Sequence, residues 1–495
     1  MLRHATWALA AGLLLTAARP GRAEPPAKGP DDAAKLAAAI DRLIEARLKE
    51  EGVQPAPLAD DGAFLRRLSL DVVGRVPAVS EARRFLKAGT PDKRRRELER
   101  LLDSPGYINH FTNVWRDLLM PEANADFQRR YLVPGVESWL RRHFTENTPY
   151  DKMVRELITL KVTSGRDAMQ EIQDLYNGRG DSPIGFYMAK EGKPENLAAS
   201  TARLFLGVRL ECAQCHDHPF GGWTRDEFWG QAAFFAGIKG PRGDFYFGQL
   251  REVGDRRELP IPGTERVAQA RFLDGKEPRW KYKVSAREAL ADWMTAKDNP
   301  YFARTAVNRM WGHFFGVGLV DPVDDFTEEN KPSHPELLDE LARQFVAHNY
   351  DFKFLARAIT MSKAYQRSSA YPSADRPDAR LFACMPVKGL SPEQLYDSIL
   401  EATRTRDNTP LAQRAIIFGG PRQEFMQKFA AQERRTDYQT SIPQALAMMN
   451  SNLVNTATHP AKSELLAAVN EAPFLSTAGR VEALFLATLC RKPTP

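Results

Sequence analysis

The chain has 495 residues, 43% of them apolar and 27% charged, with a formal net charge of +6. That length is too great for one ordinary core, so two or three domains are expected, and the composition excludes a disordered or collagen-like chain. The charge is mild and its basic residues are interleaved with acids. The densest run, residues 93–100, therefore reads as the solvated face of a helix, and no nucleic-acid partner is expected.

Residues 1–4 are a short basic start, 5–18 are apolar around Leu13, Leu14 and Leu15, and residues 21–23 are small enough at the ends for a signal peptidase. We read residues 1–23 as a secretory signal cleaved near Ala23, too short for a comfortable span; an uncleaved anchor is the other reading. Cleavage removes Arg3, Arg19 and Arg22 and no acid, which lowers the +6 to +3. No later segment is apolar and charge-free over a spanning length. The mature chain is expected to have no transmembrane segment and to be periplasmic or extracellular. Export permits disulfides, but four cysteines in 495 residues do not make a disulfide scaffold. Cys384 and Cys490, far from the other two, either pair with each other or stay free.

Residues 24–35 are Pro-rich and polar and read as a linker. Helical spacing then takes over: Leu36, Ile40, Leu43, Ile44 and Leu48, then Phe64, Leu65, Leu68 and Val72 up to Gly74. Ser80 opens a third helix, and Thr90 with Pro91 opens a fourth that buries Leu98, Leu101 and Leu102. Helices follow around Trp115, over 136–144 and over 148–160, and the Gly-, Asp- and Arg-rich residues 164–183 read as a surface loop. A helix over 194–206 ends at Gly207, residues 208–211 run extended, and Thr224 with Glu227 forms a capping box for a helix carrying Phe228, Trp229, Ala232 and Phe235. Residues 238–283 change character, with Gly, Pro, Arg and short alternating runs such as 245–247 and 279–284, and read as a β-containing connector. Helices resume with a second capping box, Ser285 and Glu288, then at Asn299 and Ser333, and over 352–361, 391–403, 423–431 and 443–450.

Cys212, Cys215 and His216 form a Cys-x-x-Cys-His pattern in the connector between two of these helices. In an exported chain this pattern reads as covalent haem c attachment. The two thiols hold the vinyl groups by thioethers, and the adjacent imidazole becomes the proximal iron ligand. Zinc is the alternative, held by Cys212, Cys215, His216 and His218, and a plain tight turn is the third reading. The neighbouring aromatic helix offers a wall for a flat macrocycle, although aromatics at this spacing also build ordinary core. Met188, His110, His143 and His313 are the distant choices for a second axial ligand, since His218 lies too close to His216 to reach the opposite face. His313 reads more simply as a core histidine, His334 as part of a helix start, and Asp321, Asp324 and Asp325 as a solvated turn. The common hydrolase, P-loop and zinc-protease signatures are missing, as is a βαβ pattern ahead of the cysteines. No reaction is assigned.

Residues 64–77, 186–192 and 206–220 resemble the planctomycete-type cytochrome-associated domain of unknown function (number 1549). Residues 299–304, 307–322, 332–338 and 438–450 resemble its C-terminal companion (number 1553), which is read as ending early, at 491–495. The resemblance implies an exported protein with no assigned activity, and the chain is read as one without the additional N-terminal cytochrome c domain that many members carry. The expected fold is mainly α, with helical domains at 36–237 and 284–495 joined by the connector. The expected function is periplasmic redox or electron transfer with a partner protein. The alternative is a metal-stabilised scaffold serving cell-surface polymer machinery, without haem.

Overall fold

The computed structural model describes residues 30–126, 129–162, 170–171, 173–175, 180–219, 221–240, 250–254, 256–405, 420–429 and 441–494. The signal, the linker up to residue 29, the run at 245–247 and the first three residues of the motif at 438–450 lie outside the described residues. Helix makes up 59% of the structure and strand 3%, so the class is mainly α, as expected.

The first helix is Pro30–Glu50, so residues 30–35, expected at the end of the linker, form its opening turns. Asp31 and Asp32 sit there, where the helix dipole favours negative charge. Leu36, Ile40, Ile44 and Leu48 recur every four residues on one face and are at most 2% exposed. That face packs on Pro335–Ala347 and Phe352–Met361, from the other end of the sequence. Asp61–Val73 is capped by the Asp60 carboxylate, which accepts from Ala63 N–H at 2.8 Å, and stops at Gly74 with φ 75°. The next helix after Val79–Lys87 is Lys93–Leu102, whose N-cap is Asp92 rather than Thr90.

Part of the expected surface loop is inside. Residues 170–171 and 173–175 are helical, and Leu175 is 1% exposed against Gly135, where a Cβ would collide with it. The polar composition around Leu175 hid this apolar plug.

The two helical regions flank the connector as expected. In it Ile238–Lys239 pairs antiparallel with Arg251–Glu252, and Glu258–Pro260 with Val267–Gln269. Leu259 opposes Ala268, and these two face inward, which sets the register. The core, however, is not divided between the regions. One continuous cluster runs from Ala33 to Met385 and takes in Leu486 and Cys490. A small satellite holds Tyr396, Phe425 and Phe429. Among the described residues no helix is long and apolar enough to cross a membrane.

Candidate functional site

The segment leading to the cysteines is shaped from both sides. Pro194–Thr201 continues as a π-helical turn, Ala202–Leu206, and ends at Gly207 with φ 70°. Gly207 is required there: a Cβ would lie 2.6 Å from the Phe326 ring and 2.7 Å from Thr305 Oγ1. Phe326 N–H donates to Gly207 O at 2.9 Å. The extended run expected over 208–211 stops one residue early, at Leu210. Val208 and Leu210 are buried, and Glu211–Gln214 closes a 3₁₀ turn.

The cause lies in the C-terminal region. Asp324, expected in a solvated turn, is 6% exposed and gathers three arginines. It accepts from Arg203 Nε at 2.7 Å and from Arg209 Nε and Nη2 at 3.0 and 2.7 Å, and Arg309 Nη2 lies 3.8 Å away. Burial alone would raise the Asp324 pKa, but the Arg309 charge and then Arg203 and Arg209 outweigh it and hold the carboxyl below its usual range. Arg309 also donates to Leu204 O and Arg203 O at 3.0 and 2.6 Å. The segment before the cysteines is therefore pinned by two side chains, Asp324 and Arg309, and one backbone bond from residues 309–326. No local pattern announces this, because the partners lie more than 100 residues apart.

In the 3₁₀ turn, side chains three apart eclipse. Cys212 and Cys215 accordingly sit on its outer side, both exposed and neither in a disulfide, while Ala213 between them is fully buried. Trp229 Nε1 donates to Gln214 O at 3.1 Å, and Arg225 N–H to Asp217 Oδ1 at 2.8 Å, so the following helix holds the turn from beneath. That helix, Arg225–Ala232, begins with the expected Thr224–Glu227 capping box. The exposed His216 ring places Nδ1 2.8 Å from Asp217 O. With Nδ1–H donating there, Nε2 carries the lone pair a metal needs. His218 is used differently: its N–H donates to Trp223 O and its Nδ1 accepts from Gly221 N–H, both at 2.7 Å, closing a small loop.

Haem attachment can be tested against these residues. Two accessible thiols on one side and an imidazole of the right tautomer are the donor set that covalent attachment requires, so on donor chemistry the turn fits. The aromatic wall does not contribute. Phe228, Trp229 and Phe235 are at most 4% exposed and belong to the core, because the helix turns that face inward. For zinc, among the described residues no three His, Cys, Asp or Glu side chains are gathered to hold a metal ion, so Cys212, Cys215, His216 and His218 would have to be drawn together first.

Met188, His110 and His143 are buried, and His313 is half-buried. Met188 is 5% exposed in Ile184–Ala189, and His143 is 3% exposed against Trp139 and near Glu156. His110 and His313 meet each other, ring centroids 5.5 Å apart, beneath Gly74. His313 Nε2–H donates to Asp71 O at 2.8 Å, the core role expected of it. The fully buried Asp71 carboxylate takes Lys388 Nζ at 2.6 Å and the Tyr365 hydroxyl at 2.8 Å, a second tie between the regions that the sequence did not signal. Cys384 is half-buried and Cys490 buried, both as free thiols, so they do not pair here.

Residues 39–240 match the family model PSCyt2, described as a protein of unknown function (DUF1549), and residues 286–424 match PSD1, a protein of unknown function (DUF1553). The chain therefore carries, in that order, one region similar to each of the two families. No curated protein and no solved structure matches it. The cysteine turn thus lies in the PSCyt2 part, and Asp324, which fixes its approach, lies in the PSD1 part.

Proposed function

We propose that Cys212 and Cys215 are the thioether anchors and His216 the proximal ligand of a c-type haem, in an exported protein that passes electrons to a periplasmic partner. One observation carries the reading: both thiols stand exposed on the same side of a turn whose remaining contacts are buried or hydrogen-bonded. Each thiol adds S–H across a vinyl double bond, sulfur to one carbon and hydrogen to the other. Attachment is therefore redox-neutral. His216 keeps its Nδ1 proton on Asp217 O and orients Nε2 outward. Bound there, haem would supply one-electron chemistry.

The full chain should be made in an exporting host that carries the haem-maturation machinery. A Soret band that survives denaturation and acid–acetone extraction is the expected result, lost in the Cys212→Ala/Cys215→Ala variant. Absence of the band, or its persistence in that variant, rejects covalent attachment. Stoichiometric zinc without haem would instead favour the metal-stabilised scaffold. Sequencing the mature N-terminus checks export, with Glu24 expected first.

A further inference from the structure

The proposed function leaves residues 279–283 unused, and they are unusual. Arg279, Trp280, Lys281, Tyr282 and Lys283 alternate cation and ring, and all five are exposed. Tyr282 is 89% exposed and Trp280 39%, although such rings ordinarily contribute to a core. The backbone turns sharply just after Tyr282. Lys283 adopts φ 62°, the left-handed region that costs a side-chain-bearing residue about 1–2 kcal/mol, and Val284 N–H closes the turn onto Lys281 O at 3.3 Å. The Arg257 guanidinium lies 4.0 Å from the Trp280 ring centre, and Lys283 Nζ 5.4 Å from that of Tyr282. Arg257 leads into the Glu258–Pro260 strand and accepts from Ala270 N–H at 2.8 Å, so the stretch rests on an ordered hairpin.

The charges are also uncompensated. Nearby Arg266, Arg271 and Lys276 each have a carboxylate partner, in Asp226, Glu277 and Asp274. Among the described residues no carboxylate pairs with Arg279, Lys281 or Lys283. A ligand complementary to this surface has flat apolar faces alternating with negative groups. A lipid surface is bound in proportion to the apolar area and basic charge presented to it, and two rings with three cations at one turn offer little of either. A nucleic-acid strand is normally tracked by a continuous basic groove, whereas this surface is five residues at a turn. A sugar chain bearing carboxylate or sulfate groups matches the alternation and the short length.

We infer that residues 279–283 form a binding surface for an acidic polysaccharide, whose ring faces stack on Trp280 and Tyr282 while its anionic groups pair with Arg279, Lys281 and Lys283. The surface stands on its own geometry and is independent of the haem reading. Affinity electrophoresis of the full chain tests it, in gels containing polygalacturonate, dextran sulfate or neutral dextran. Retardation is expected with an anionic polymer and not with dextran, and the two polymers separate carboxylate from sulfate preference. Replacing both rings (Trp280→Ala/Tyr282→Ala) should weaken binding roughly tenfold, as two lost ring contacts imply. Reversing two charges (Lys281→Glu/Lys283→Glu) should weaken it about as much. Unchanged circular dichroism and melting would show that both variants fold. Equal retardation of wild type and folded variants overturns the proposal, as does no retardation by either anionic polymer. Tighter binding to a dT20 oligonucleotide or to phosphatidylglycerol vesicles overturns it in favour of those partners.

Discussion

A carboxylate survives in a protein interior only when its charge is met, and Asp324 meets three guanidiniums. Arg203 and Arg209 keep 39% and 33% of their side chains exposed, so their ion pairs are screened, whereas Arg309 is only 7% exposed. Asp324→Asn keeps the volume but leaves Arg309 buried without a counter-charge. A loss of about 3 kcal/mol is expected, read as a lower urea midpoint; an unchanged midpoint would mean that water already screens the cluster. His334 gives a separate signature in pH. It is 5% exposed, its Nδ1 lies 3.0 Å from Ser333 Oγ, and its ring packs on Phe382. Burial, helped by the Arg47 and Arg380 charges, lowers its pKa to about 4. The unfolded chain, with an ordinary histidine, takes up that proton first on acidification. Stability from this residue is therefore complete above about pH 6.5 and is lost towards pH 4, on the order of 3 kcal/mol. His334→Gln should flatten that part of the stability–pH profile.

The short turn after Gly207 is the element that matters most for the site. Its boundaries on the far side were legible: the Thr224–Glu227 and Ser285–Glu288 capping boxes both form, and Gly207 and Gly74 both end helices in the left-handed region. The approach to the cysteines was not legible. A short apolar-polar alternation over 208–211 suggests an extended approach; Arg209 is drawn to Asp324, Val208 and Leu210 are drawn into the core, and the chain enters a 3₁₀ turn already at Glu211. Gly207→Ala tests this coupling. Its φ of 70° and the close Phe326 ring together predict a loss of roughly 1–3 kcal/mol. Because strain there moves the segment before Cys212, maleimide labelling of Cys212 and Cys215 should change in rate as the melting temperature falls. A stability loss with unaltered labelling would show that the turn is set independently of Gly207.

Across the whole molecule, the matched families describe two regions of sequence but one body of packing. The first helix seats Leu36, Ile40, Ile44 and Leu48 on helices more than 280 residues later. Exposing those four side chains would cost roughly 8 kcal/mol, comparable with the entire stability of a typical domain. A fragment ending at residue 284 is therefore not expected to fold alone. It should lack near-UV circular dichroism and slow amide exchange, while the full chain unfolds in one main transition. A fragment with sharp, cooperative melting would disprove the shared core.

Local chemistry along the chain was enough to determine the helical class, most helix positions and caps, and the connector, and to single out the turn that holds Cys212, Cys215 and His216. These follow from spacing and backbone preference within a few residues, which neighbouring side chains alone can enforce. Only the tertiary structure decided that the thiols face outward, that the aromatic helix serves the core, and that Asp324 and Asp71 join the two regions. Those outcomes depend on charges and apolar faces far apart in sequence, which find each other only when the chain closes around one interior.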